Sequence, residues 1–405
     1  MKRLFCLLLA MLLLSASALC EGSTNPKDYQ PLRELSADNG FLMGAALGYE
    51  QMSDPMYLVT LKHHFNTITP TNELKAYSLL DQRASQASTD GMPRMNFTKA
   101  DKMVEWAQKA GLKVRGHVLV WDAYMTQWFF HEGYDTSKPI ADRETLKLRM
   151  QSYIEDVICH FEDKYPGVVY CWDVVNEAIG DSDSEYKPGD SRHVRTMRSG
   201  GSNPFYEYVG DDYVELAFYY AWDTVELLGA DIKLFYNDYN MFHMKKRAAA
   251  IDLVKSINSY MVDEEGKPIQ LCDGIGMQGY IGGYGTQSGC MKESNLNDIK
   301  KSILMYAELG VEVQITEMAV RNYKEDLAHE HAVFYQKLFR VFKSINRGLE
   351  EPILTNVSIW GLVDRPFEPS TSYGYKMNGT HGGLFGYGTK VKEAFLLVHE
   401  ELAAD

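Results

Sequence analysis

The sequence predicts a single α/β domain folded as a (β/α)8 barrel, and two observations carry that expectation. Eight short apolar, β-branched runs alternate with helix-length segments, the order that parallel βαβ units produce. No linker or low-complexity stretch divides the roughly 390 residues that follow a leader, a length within the range of one α/β barrel carrying insertions.

The strand candidates in the first half are 41–48 (FLMGAALG), 65–70 (FNTITP), 112–121 (LKVRGHVLVW) and 168–178 (VVYCWDVVNEA). The second half continues the series at 231–240, 275–282, 311–320 and 356–364. Helix-length segments fall between them, at 98–111, 141–163, 212–229, 243–260, 295–309 and 325–346. The segment 179–211, rich in Gly, Ser, Asp and Tyr, follows the fourth strand and is long for a barrel loop. Such loops shape clefts, so it is expected to form part of one.

Ahead of the first strand, Met1-Lys2-Arg3 precedes an apolar stretch from Leu4 to Leu14 and the small residues Ser15 to Ala18. This is the pattern of a signal peptide, residues 1–18, and implies a secreted protein. Its apolar run is too short to span a bilayer, and no later stretch approaches the length a membrane helix needs. Leu19 directly before Cys20 argues against lipid attachment, which needs small residues at that point. Residues 19–30 then read as an N-terminal segment and 31–405 as the catalytic barrel.

A net charge of -14 argues against nucleic acid and anionic membranes as partners and is compatible with a neutral polymer. The aromatic content of 12% suits the stacking of sugar rings as well as core filling, and alone decides neither. Cys159, Cys171, Cys272 and Cys290 lack the close pairing with histidine of a zinc site, so no metal is expected. Their disulfide state stays open, with a local Cys272–Cys290 bridge and buried free thiols both compatible with an exported chain.

Barrel active sites are built at the carboxyl ends of the strands, and two strands carry a glutamate there, Glu177 and Glu317. Either alone would pass for a salt-bridged strand-end residue. Together they match what retaining cleavage of a glycosidic bond requires: one acid to protonate the leaving oxygen and one carboxylate to attack the anomeric carbon. Asn176 beside Glu177 adds an amide donor for a sugar hydroxyl.

Seven motifs, TPTNELK (69–75), GHVLVW (116–121), WDVVNEA (172–178), FYNDYN (235–240), GIGMQG (274–279), ITEM (315–318) and WGLVD (360–364), occur in the order found in glycoside hydrolase family 10. The chain resembles that family from about residue 30 to its end. The resemblance implies a TIM barrel, a retaining endo-β-1,4-xylanase acting on xylan, no cofactor, and a monomer. It assigns Glu177 as acid/base and Glu317 as nucleophile. Asn176, His117, Gln278 and Trp360 would line the subsite of the attacked sugar, and Asn72, Lys75 and Trp121 would hold the next one. Taken singly, Trp360 and Trp121 read as core residues, His117 as a satisfied buried histidine and Lys75 as a solvated charge.

The resemblance breaks inside the same cleft. Thr71 stands where the family usually has glutamate, Asp122 where it has histidine, and Tyr124 where it has glutamine. Tyr280 replaces a histidine that hydrogen-bonds the nucleophile, and Phe367 and Glu368 fall where a second tryptophan is common. A tyrosine can donate to Glu317 but cannot carry positive charge, so the nucleophile's acidity is expected to differ. Two alternatives follow: the same chemistry on another β-glycan or a decorated xylan, and a carbohydrate-binding barrel with impaired turnover. Barrel cellulases share the Asn-Glu pair but not the GHVLVW and GIGMQ contexts.

Overall fold

Strands rich in β-branched residues and buried on both faces pair in parallel only when helices cover the sheet, and the chain does this eight times. The computed structural model describes residues 23–180, 197–198, 201–281, 291–365 and 380–404. Its barrel strands are β1 (Leu42–Leu47), β2 (Thr67–Pro70), β3 (Lys113–Gly116), β4 (Val169–Asn176), β5 (Lys233–Asp238), β6 (Gly274–Met277), β7 (Glu312–Val320) and β8 (Leu354–Ile359). Each pairs in parallel with the next, and β8 closes on β1 with Leu42 opposite Asn356 and Ala45 opposite Ile359. This is the closed (β/α)8 TIM barrel that the alternation predicts.

The outer ring is α1 (Pro55–His64), α2 (Thr98–Ala110), α3 (Arg143–Lys164), α4 (Tyr213–Leu228), α5 (Met244–Asn258), α6 (Glu293–Ala307), α7 (Ala328–Asn346) and α8 (Glu393–Ala403). Local chemistry sets their ends. Asp54 accepts from the backbone N–H groups of Met56 and Tyr57 with Pro55 at the first turn, and Asp142 accepts from that of Thr145. Helix α2 stops at Gly111, whose φ of 74° is the left-handed conformation that glycine takes without cost. Its buried face, Ala100, Met103, Val104 and Ala107, follows helical spacing.

Several features differ from the sequence reading. The third strand stops at Gly116 rather than Trp121, because Leu119 and Val120 donate to the carbonyls of Asp173 and Val174 outside the regular ladder. Helix α1 escaped notice because two of its four inward residues, Thr60 and His64, are polar, which hides the apolar period. Helix α8 has an apolar stripe, Ala394, Phe395, Val398 and Leu402, that the reading left unassigned. Residues 1–18, expected to be a signal peptide, Cys290, Phe367, Glu368 and most of 179–211 lie outside the described residues. Cys159, Cys171 and Cys272 are free thiols, and burial pushes the last two up to about 12. Among the described residues no helix is long and apolar enough to cross a membrane.

The barrel interior pairs small residues with large ones. A Cβ at Gly116 would enter the Trp172 indole, and one at Gly274 would enter the Phe235 ring. Both rings are fully buried and have no room to retreat. Gly274→Ala is therefore expected to cost about 1–3 kcal/mol. Equilibrium urea unfolding would register this as a lower midpoint with an unchanged slope.

Candidate functional site

Beneath the mouth of the barrel lies a charged layer that supports the site. Arg115 on β3 forms a two-pronged ion pair with Asp173 on β4, and its Nε donates to Gln314 on β7 at 2.9 Å. Asp173 also accepts from His117 Nδ1 at 2.8 Å. Burial alone would raise the Asp173 carboxyl, but Arg115 and His117 outweigh it and hold it below the usual range. Burial lowers His117 to about 4 despite Asp173, so the ring is neutral at neutral pH. With its proton on Nδ1, its Nε2 lone pair faces the site, 3.9 Å from Glu317 Oε1.

Backbone irregularities deliver the two glutamates. Glu177 follows the last residue of β4 with φ 54°, a left-handed conformation disfavoured for a side chain of its size, and its N–H is tied to Asn237 O at 2.8 Å. Glu317 sits within a register shift of β7 against β8, between Ile315 and Met318. Such bulges re-aim side chains beside functional sites. Both glutamates are only 7% exposed.

A polar web joins them. Gln278 Nε2 donates to Glu177 Oε1 and to Asn176 Oδ1, each at 3.1 Å. Asn237 Nδ2 donates to Asn176 Oδ1 at 2.8 Å and to Glu317 Oε1 at 3.3 Å, while its own carbonyl accepts from Thr316 Oγ1 at 2.6 Å. The Tyr280 hydroxyl donates to Glu317 Oε2 at 2.5 Å. Burial raises Glu317 to about 7; Tyr280 and Lys75 work against that rise, and the charge of Glu177 adds to it. Burial likewise lowers Lys75 to about 8, opposed by Glu317, Glu177 and Glu73.

These groups open into a cavity of about 460 Å³ lined by both carboxylates. Of the residues singled out in the sequence, Asn72, Lys75, His117, Trp121, Gln278, Tyr280 and Trp360 line it as well. Asn176 stands behind Glu177 and Gln278 in the web. Lys75 Nζ donates to Asn72 Oδ1 at 3.2 Å and lies over the rings of Trp121 and Tyr124 at 5.0 and 4.3 Å. Asn176 Nδ2 and Trp121 Nε1 are buried with no partner among the described residues, two donors suited to ligand oxygens. No group of three or more metal-ligating side chains is present among the described residues.

Sequence reasoning passed over Asn237, Asp173, Arg115 and Glu73. Glu73 accepts from the backbone N–H groups of Tyr49 and Asn72, pinning two cavity loops together. The signal was present: Arg115 and Asp173 are charges inside otherwise apolar strands, and such charges need each other when buried.

Residues 31–399 match the family model for glycosyl hydrolase family 10. The chain is 34% identical over 298 residues to a putative endo-1,4-beta-xylanase of Caldicellulosiruptor saccharolyticus, covering 72% of this chain and 86% of that one. It is 32% identical over 349 residues to endo-1,4-beta-xylanase A of Thermotoga maritima, covering 84% of this chain and 28% of that protein, so it spans a minor part of this larger relative. Its fold superposes with a TM-score of 0.75 and 25% identity on the N-terminal endo-1,4-beta-D-xylanase 10B of Clostridium thermocellum, the CBM22-1 and GH10 modules complexed with xylohexaose, covering 91% of this chain and 67% of that one. On a match that takes in every barrel strand and both buried glutamates, the chain belongs to glycosyl hydrolase family 10.

Proposed function

We propose that this protein is an endo-β-1,4-xylanase that cleaves the xylan main chain with retention of configuration. The observation that carries the reading is the burial of two carboxylates, Glu177 and Glu317, in one cavity with separate hydrogen-bond environments. Relatives named as xylanases support the substrate class. We further read residues 1–18 as an export signal, 19–30 as an N-terminal segment and 31–405 as a catalytic barrel acting outside the cytoplasm.

In the first step the Glu317 carboxylate attacks the anomeric carbon, the glycosidic C–O bond breaks, and Glu177 gives its proton to the departing oxygen. In the second, Glu177 takes a proton from water, whose oxygen displaces Glu317 and restores the starting charges. We assign the buried, unpartnered Asn176 amide beside Glu177 to a hydroxyl of the attacked sugar, and the Trp360 ring, which lines the cavity, offers that sugar an apolar face. Neutral His117 presents an acceptor to a sugar hydroxyl. Lys75, held beside Asn72, serves the next sugar.

Tyr124 favours a second reading, in which the substrate is another β-1,4-glycan or a decorated xylan. Its ring, not an amide, lies against Lys75 and Trp121. Initial rates on xylan, mixed-linkage glucan and cellulose separate the two, and no release from any of them would leave a binding protein.

Glu177→Ala is expected to lower kcat on xylan by about 10²–10⁴-fold, the range of general acid–base catalysis. An aryl xylobioside whose leaving group needs no proton should be spared in its first step. Glu317→Ala should abolish release from both substrates. Equal losses for the two variants on the activated substrate would contradict these roles.

The pH dependence of kcat/KM follows from Tyr280. Glu317 attacks only when ionised, and its rise to about 7 places an acid limb near neutrality. The tyrosine hydroxyl stabilises the ionised form and so lowers the pKa. Tyr280→Phe should move the acid limb to higher pH, losing more activity at pH 6 than at pH 8. A uniform loss across the profile would assign Tyr280 to substrate binding alone.

A further inference from the structure

Beyond the two sugars placed above, the cavity continues along an aromatic path. Lys75 stands next to the carboxylates, within electrostatic reach of both. Its ammonium covers the Trp121 and Tyr124 rings, whose centroids are 4.4 Å apart with a tilt of 37°. Tyr77 follows, 5.6 Å from Tyr124 and tilted by 40°. All four residues line the same cavity, but exposure climbs along the path, from 8% at Trp121 to 43% at Tyr77. An exposed tyrosine face continuous with a sugar cleft is suited to the apolar face of a pyranose ring. Tyr77 lies on the short helix Ala76–Leu79 that follows β2, where its ring is exposed and meets that of Tyr124.

We propose that Tyr77, backed by Tyr124, is a stacking platform for a third sugar on the Lys75 side of the cleavage point, so that the enzyme selects for longer chains. This rests on the β-1,4-glycan reading above. The platform acts through an apolar face and not through the hydroxyl, which distinguishes it from the hydrogen-bonding residues nearer the carboxylates. It extends the cleft along the β2 and β3 loops, where Tyr124 stands in place of the family's usual glutamine.

The test is calorimetric titration of the full-length Glu177→Gln protein, which leaves its ligands uncut. The β-1,4-linked dimers and tetramers of xylose and of glucose are each titrated. In whichever series binds, the tetramer should bind more tightly than the dimer. Tyr77→Ala should cut the tetramer-to-dimer affinity ratio about fivefold, the scale of one aromatic contact. Tyr77→Phe should keep the ratio, because it keeps the ring. A ratio unchanged in Tyr77→Ala, or a tetramer that gains nothing over the dimer, overturns the platform while leaving the proposed activity intact. Binding in neither series overturns both.

Discussion

The structure depends on holding two buried carboxylates together in one cavity. Each loses water on burial, and each raises the cost of ionising the other. Closure of the barrel brings β4 and β7 to a common mouth, but closure alone would leave bare charges facing each other. Gln278 and Asn237 solve this by donating to one glutamate each and sharing Asn176 as their common acceptor. The two carboxylates are thereby fixed in place yet differ in surroundings, since only Glu317 receives the Tyr280 hydroxyl among these bonds.

That arrangement rests on the layer below. The Arg115–Asp173 pair is buried at the barrel centre and links β3 to β4, while Gln314 ties it to β7. Replacing one partner of such a pair strands the other charge, which typically costs 3–5 kcal/mol. Asp173 passes the constraint upward by orienting His117, whose far nitrogen borders Glu317. The site itself detracts from stability. Because the folded-state value of Glu317 rises from about 4.5 to about 7, the folded protein holds that proton more tightly, and stability falls as pH rises across this window. Glu177 adds backbone strain at φ 54°.

Much of this was legible in the sequence, for identifiable reasons. Parallel strands buried on both faces read as continuous apolar runs, so eight of them could be counted even though their ends shifted by a few residues. Glu177 and Glu317 stood out only together and in their motifs, since either alone would pass for a salt-bridged strand-end residue. Asn237 was harder to see, since an amide inside FYNDYN looks like any other polar strand end, and its function depends on neighbours from β4 and β7. Arg115 and Asp173 lie 58 residues apart, a pairing fixed by register rather than local pattern. Tyr77 was not singled out in the sequence, because the ring it meets, Tyr124, comes from the loop after a different strand.

The most direct test of the central claim is to trap the first step. A β-xylobioside carrying fluorine at the 2-position of the reacting sugar and a highly activated leaving group should slow hydrolysis of the glycosyl-enzyme enough for intact-mass measurement and peptide mapping. The expected result is a single fluoroxylobiosyl ester on Glu317, formed in the wild type and absent in Glu317→Ala. An adduct on another residue, or turnover that inverts the anomeric configuration without any adduct, would contradict the account.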